Sequence, residues 1–215
     1  MLKLYATPVS IYSAKVRLAL AMTGVAWTEL EPPGGYRSEA YRAIVPQGTI
    51  PALDHDGFVL AESDAILEYL DEQRLGCKIM SDNVGARARA RALSRYIDMR
   101  VEPAARALFP LLGRRRAEAS AEALNGALRI LARQVEPHPF LAGRAPSLPD
   151  FGCLPLLLVI DLLERWLPIV VTRPGWEADY RAAANEIKGA GEILARYSAA
   201  LDEWAASKME QSDEA

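Results

Sequence analysis

The hydrophobic pattern changes once along this chain, near Gly76 to Gly85, and that change limits the fold more than any other feature. Before it, short apolar strands alternate with helical segments; after it, apolar residues recur only at helical spacing. Leu2 to Tyr5 reads as a strand. Ser13 to Thr23 reads as a helix with Val16, Ala19, Leu20 and Thr23 on one face and Gly24 as its stop. Ala26 to Leu30 supplies a second strand, and Pro32-Pro33-Gly34-Gly35 leads into a polar segment holding a short helix from Ser38 to Ile44. Pro51-Ala52-Leu53 and Phe58-Val59-Leu60 flank His55-Asp56-Gly57, a hairpin signal because Asp-Gly accepts the positive φ angles of a tight turn. A helix from Ser63 to about Gln73 follows, predicted to bury Ala65, Ile66, Tyr69 and Leu70. The order is βαβ then ββα, an α/β unit over 1–77, followed by an all-helical unit over 85–207.

In the second unit Leu93, Tyr96, Ile97 and Val101 share a face, as do Leu124, Leu128, Leu131 and Val135. Phe151 to Trp166 is apolar almost all round, which places it at the centre of a bundle that Glu186 to Ala206 closes. Lys208 to Ala215 carries too little apolar surface to offset its ordering entropy and is predicted to fray.

With 215 residues, 51% of them hydrophobic, the chain has ample material for a core without staples. Its net charge of -3 and pI near 5.6 supply no broad positive field, which argues against nucleic acid or an anionic membrane surface as partner. The basic run Arg114-Arg115-Arg116 reads as a solvated loop. Cys77 and Cys153 stand in no Cys-x-x-Cys or Cys/His spacing, so neither a disulfide framework nor a metal site is expected, and a reducing cytoplasm fits. The start of the chain lacks the pattern of a signal peptide, and the longest apolar run, Phe151 to Ile160, falls short of the roughly 20 residues that cross a bilayer.

Three local motifs carry chemistry. Thr7-Pro8-Val9-Ser10 joins the first strand to the first helix, where unpaired N–H groups and the positive end of the helix dipole favour an anion. A hydroxyl there can steady a thiolate, or serve as a plain helix cap. In Gly48-Thr49-Ile50-Pro51 a proline opens a strand, which suits a cis peptide bond and leaves the backbone of Ile50 free to pair with an extended peptide. In Glu62-Ser63-Asp64, a helix-capping Ser63 offers a hydroxyl and N–H groups to a carboxylate while Glu62 offers a carboxylate to an ammonium. Together the last pair would grip an amino-acid head, though Ser-Asp is also an ordinary helix start.

In order and spacing these motifs resemble the glutathione transferase family, closely over Leu2 to Glu72 and more loosely beyond. The resemblance implies a thioredoxin-like N-terminal domain, an all-helical C-terminal domain, a homodimer, and glutathione as co-substrate with no metal. Ser10 followed by Val16-Arg17 matches serine-type members, in which the hydroxyl steadies the glutathione thiolate. Pro51 matches the family's cis-proline, Glu62-Ser63 the pair holding the γ-glutamyl group, and Arg37 a basic residue for the glycyl carboxylate. Thr49 departs from the lysine or glutamine common at its place, which implies a weaker ligand contact. Ser147-Leu148-Pro149-Asp150 matches a family motif whose physics is a capping box, a folding device. Members with a catalytic tyrosine carry it where this chain has Ala6, so Tyr5 is assigned to the core.

The function implied is conjugation: the thiolate held by Ser10 attacks an electrophilic, mostly apolar second substrate in a pocket lined by Tyr12, Met99 and Val101. Glutathione-dependent isomerisation of the maleylacetoacetate or maleylpyruvate type is the alternative, although those relatives carry Ser-Ser-Cys where this chain has Ser10-Ile11-Tyr12. A non-catalytic glutathione-binding protein is a third possibility.

Overall fold

A computed structural model of the chain describes residues 1–76, 78–112 and 120–213; Cys77 and Arg114-Arg115-Arg116 lie outside the described residues. Strand β1 (Leu2–Tyr5) is followed by α1 (Ile11–Thr23), β2 (Trp27–Leu30), α2 (Glu39–Arg42), β3 (Ala52–His55), β4 (Phe58–Ala61) and α3 (Ser63–Glu72). The sheet order is β2-β1-β3-β4, with β1 parallel to β2, antiparallel to β3, and β3 antiparallel to β4. This is the thioredoxin-like arrangement, with the loop after β1 and the start of β3 side by side, since Tyr5 pairs with Ala52.

Local chemistry accounts for the ends of these elements. Helix α1 starts two residues earlier than the apolar spacing predicts, because Ser10 caps it, and Gly24 at φ 69° closes it in a conformation that disfavours a side chain. The Ser38 side chain caps α2 by accepting the Tyr41 N–H at 3.0 Å. The turn between β3 and β4 has Asp56 and Gly57 at φ 52° and 92°, the positive angles the Asp-Gly signal foretold. In α3, Ala65 is exposed rather than buried, and Leu67 joins Ile66 and Leu70 in the core. The correction is a small rotation of the buried face, one that short helical patterns do not resolve.

The rest is helical: α4 (Val84–Tyr96), a π-helical turn (Ile97–Val101), α5 (Glu102–Arg106), a 3-10 turn (Phe109–Leu111), α6 (Glu122–Gln134), α7 (Leu148–Trp166), α8 (Glu177–Ala184) and α9 (Ala190–Asp213). Helix α7 is central, packing against α1, α4, α5 and α9, as its near-uniform apolar surface requires. At its start the Asp150 carboxylate accepts the Ser147 N–H at 2.8 Å and the Leu141 N–H at 2.9 Å. The segment expected to run from Glu186 to Ala206 is divided differently, since Gly189 at φ 75° interrupts the helix before α9, and a Cβ there would lie only 2.9 Å from the Ala21 side chain of α1. Helix α9 also continues to Asp213, beyond Lys208 where composition predicts fraying.

One continuous core joins both halves, from Leu4 and Leu53 of the sheet through α1 to Phe151 and Ile160 of α7. A second, smaller cluster of Tyr5, Tyr41, Val45 and Ala52 covers the other face of the sheet, with the rings of Tyr5 and Tyr41 5.6 Å apart.

Candidate functional site

A cleft of about 1380 Å³ opens between the sheet's β1–α1 end and the helices, and the three chemical motifs all reach it. Ser10, Tyr12, Arg37, Thr49, Ile50, Pro51, Glu62, Ser63 and Met99 are among its lining residues.

Ser10 sits at the N-cap of α1 with extended backbone angles, and its Oγ accepts the Ser13 N–H at 3.1 Å. That bond uses a lone pair and leaves the hydroxyl hydrogen without an acceptor among the described residues, so capping and donation to a thiolate are compatible. The loop is held from behind: Arg17 forks onto Glu29 at 2.8 and 2.6 Å and donates to the Thr7 carbonyl at 3.1 Å. The same carbonyl accepts the Ser10 N–H at 3.3 Å.

The Ile50-Pro51 peptide bond is cis, and among the described residues no backbone hydrogen bond engages Ile50. The Thr49 carbonyl accepts the Tyr41 hydroxyl at 2.8 Å, and burial pushes the Tyr41 phenol up to about 12, so it remains a donor. Thr49 Oγ1 is buried and has no partner among the described residues.

The motif at α3 is arranged one residue away from expectation. Glu62, not Ser63, holds the cap position, and Ser63 is the first helical residue. Glu62 adopts φ 73°, an unfavourable angle for a side chain with a Cβ, and such strain is retained mainly where the surroundings require it. Ser63 is buried while Glu62 is exposed on the cleft. The first N–H groups of α3 lack intrahelical partners and favour a carboxylate. Arg37 lies on the rim at φ 64°, its guanidinium 4.9 Å from the centre of the Tyr36 ring.

In the first turn of α1 the Tyr12 hydroxyl donates to Glu102 Oε2 at 3.2 Å and lies 3.4 Å from the Asp98 carbonyl. Burial, then the Glu102 charge, holds its phenol well above the usual range. Glu102 is also paired with Arg106, whose guanidinium lies over the Phe109 ring at 5.6 Å. Met99 is 56% exposed and lines the cleft, whereas Val101 is 0% exposed and belongs to the core. Two residues apart on a helical turn point to different faces, so Met99 and Val101 could not both line one wall. Val101 is therefore withdrawn from the pocket.

Sequence reasoning missed Lys15, Asp98, Glu102 and Arg106. Only Lys15 left a trace, a lysine inside the apolar run of α1. Among the described residues there is no cluster of three His, Cys, Asp or Glu side chains that could hold a metal ion, and no helix long and apolar enough to cross a membrane. Cys153 is fully buried and its thiol is pushed up by burial, the condition of an inert core residue.

The family described as Glutathione S-transferase, N-terminal domain matches residues 4–76. The chain is 36% identical over 108 residues to the maleylacetoacetate isomerase of Pseudomonas aeruginosa, a match covering 47% of this chain and 51% of that protein. It is 29% identical over 160 residues to a glutathione S-transferase of Pseudomonas putida, covering 70% of each. The aligned stretch thus spans about half the length of the first relative. Among solved structures, a maleylpyruvate isomerase described as a bacterial zeta-class glutathione S-transferase superposes with a TM-score of 0.69 at 26% identity, covering 92% of this chain and 97% of that one. The sheet, the helical half and these likenesses agree: residues 4–76 match the N-terminal domain of glutathione S-transferases, and the chain as a whole has the two-part fold of such proteins.

Proposed function

We propose that the cleft binds glutathione and that the protein conjugates its thiolate to an electrophilic, mostly apolar second substrate. One contrast carries this reading: the Tyr12 proton is committed to Glu102, while the Ser10 hydroxyl hydrogen is free and sits at a helix N-terminus. A free thiol has a pKa near 8.5, and lowering it by two units corresponds to about 2.7 kcal/mol of preference for the anion. The dipole of α1 and one hydroxyl donor act in that direction. Ser10 is then a donor to another molecule's sulfur and not itself a nucleophile.

Within this reading, the backbone of Ile50 beside Pro51 pairs with the cysteinyl backbone of glutathione, and Thr49 stands next to it. Glu62 meets the ammonium and Ser63, with the start of α3, meets the carboxylate of the γ-glutamyl head. Arg37 meets the glycyl carboxylate. The second substrate lies against Tyr12 and Met99, so that binding supplies proximity and the lowered thiol pKa supplies reactivity. A cytoplasmic homodimer that needs no metal completes the proposal.

A second reading is isomerisation, favoured by the likeness to the Pseudomonas aeruginosa isomerase. There the thiolate adds to a maleyl double bond and leaves after rotation, so glutathione is regenerated. Assays with a chlorodinitrobenzene-type electrophile and with a maleyl substrate separate the two. Turnover of the first alone supports conjugation, turnover of the second alone supports isomerisation, and calorimetry showing no binding at millimolar glutathione would remove both.

A further inference from the structure

Lys15 lies midway along α1 with no exposed side-chain surface, and its ammonium has three acceptors. Asp64 Oδ1 is 2.5 Å away, Asp98 Oδ2 2.7 Å and Ser94 Oγ 3.3 Å, which uses the full donor capacity of an ammonium. The Ser94 hydroxyl in turn donates to Asp64 Oδ1 at 3.0 Å. Four elements meet here: α1, the first turn of α3, α4 and the π-helical turn. Helix α7 passes close by at Gly152, where a Cβ would lie 3.6 Å from the ammonium.

A buried ion cluster adds little stability over apolar packing of the same volume, because desolvation offsets most of the attraction. Its position is more informative. Both carboxylates line the cleft, with 29% of the Asp64 side chain and 19% of Asp98 exposed. Asp64 follows Ser63 directly, and Lys15 stands five residues after Ser10, about 8 Å along the same helix. Glu62, Asp64 and Asp98 stand at this end of the cleft around the single buried ammonium, with Arg95 also on the lining. The neighbouring Arg91 is spent on Glu68, at 2.9 and 2.6 Å.

We propose that Lys15 is a positioning residue for the amino-acid head of bound glutathione. By holding Asp64 and Asp98 it sets the first turn of α3, and so the Glu62-Ser63 pair, at a fixed distance from Ser10. The inference rests on the glutathione reading.

The test compares S-hexylglutathione with S-hexylcysteinylglycine, which lacks the γ-glutamyl head, by calorimetry on wild type, Lys15→Met, Lys15→Arg and Asp64→Asn. Thermal unfolding checks each fold, and steady-state kinetics with glutathione accompany the titrations. Lys15→Met should weaken S-hexylglutathione about tenfold or more, leave the truncated ligand within about twofold, and raise KM for glutathione with kcat little changed. Lys15→Arg, which keeps the charge, should restore part of the loss. Equal weakening of both ligands, unchanged affinity for S-hexylglutathione, or a fall in kcat with KM unchanged would overturn the proposal. If Lys15→Met does not fold, Asp64→Asn, which keeps the hydrogen-bonding shape of the side chain, decides on the same two ligands. A wild type that binds neither ligand overturns the glutathione reading and this inference with it, whereas intact wild-type binding with no head-group selectivity in the variants overturns this inference alone.

Discussion

The Tyr12 hydroxyl donates to a carboxylate oxygen of Glu102 at 3.2 Å, two residues along α1 from Ser10 and lining the same cleft. Two hydroxyls near the same ligand thus have different duties. Tyr12→Phe should lower stability by about 1.5–3 kcal/mol, the cost of a hydrogen bond to a charged group. The pKa of the bound glutathione thiol, followed by thiolate absorbance, should not move. A rise of about one unit would transfer the sulfur-steadying role from Ser10 to Tyr12.

Ser10→Ala removes a helix cap and the proposed thiolate donor together, and the two losses are separable. The cap should cost about 1 kcal/mol in unfolding experiments. Loss of the donor should reduce turnover on the order of 10²-fold and return the bound thiol toward its ordinary pKa of about 8.5. A variant that is less stable yet keeps the wild-type thiol pKa would leave Ser10 as a cap alone.

Thr49 Oγ1 is buried without a partner among the described residues, beside the Ile50 backbone, which none of them engages. Thr49→Val should therefore not lower the thermal midpoint, because no internal hydrogen bond is lost. If the hydroxyl meets glutathione, Kd should rise about fivefold, the worth of one neutral hydrogen bond. Calorimetry on the two proteins decides it, and unchanged Kd would remove Thr49 from the ligand site.

Burial pushes the Asp150 carboxyl up to about 6, against the pull of the Leu141 and Ser147 hydrogen bonds. In the unfolded chain the value is about 3.9. Between these values the native state holds the proton more tightly, so this group's contribution is complete below about pH 4 and declines as pH rises through about 6. The urea midpoint of wild type relative to Asp150→Asn should accordingly fall from pH 4 to pH 7. A difference that is flat or grows across that range would contradict the assignment.

The parts of the site legible in the sequence are those made by neighbours in the chain. Ser10 at a helix start, Pro51 at a strand start, Glu62-Ser63 and the Asp56-Gly57 turn depend on backbone angles and caps within a few residues. Helix α8 escaped because its anchors are distant: Tyr180 is fully buried, and Arg181 reaches Asp161 on α7 at 3.0 Å. The π-helical turn from Ile97 to Val101 escaped because ordinary helical spacing describes its apolar residues equally well.

Periodicity and caps act over one or two turns, so the α/β-then-helical order, the elements that bear the ligand motifs, and the capping devices at Ser10 and Asp150 are written in the local sequence. The assembled fold, by contrast, sets the engagement of Tyr12 by Glu102, turns Val101 inward while Met99 lines the cleft, and lets Lys15 join Asp64 to Asp98. Those outcomes depend on charges and faces brought together across 49 to 90 positions of chain, where packing, not local preference, sets which groups meet.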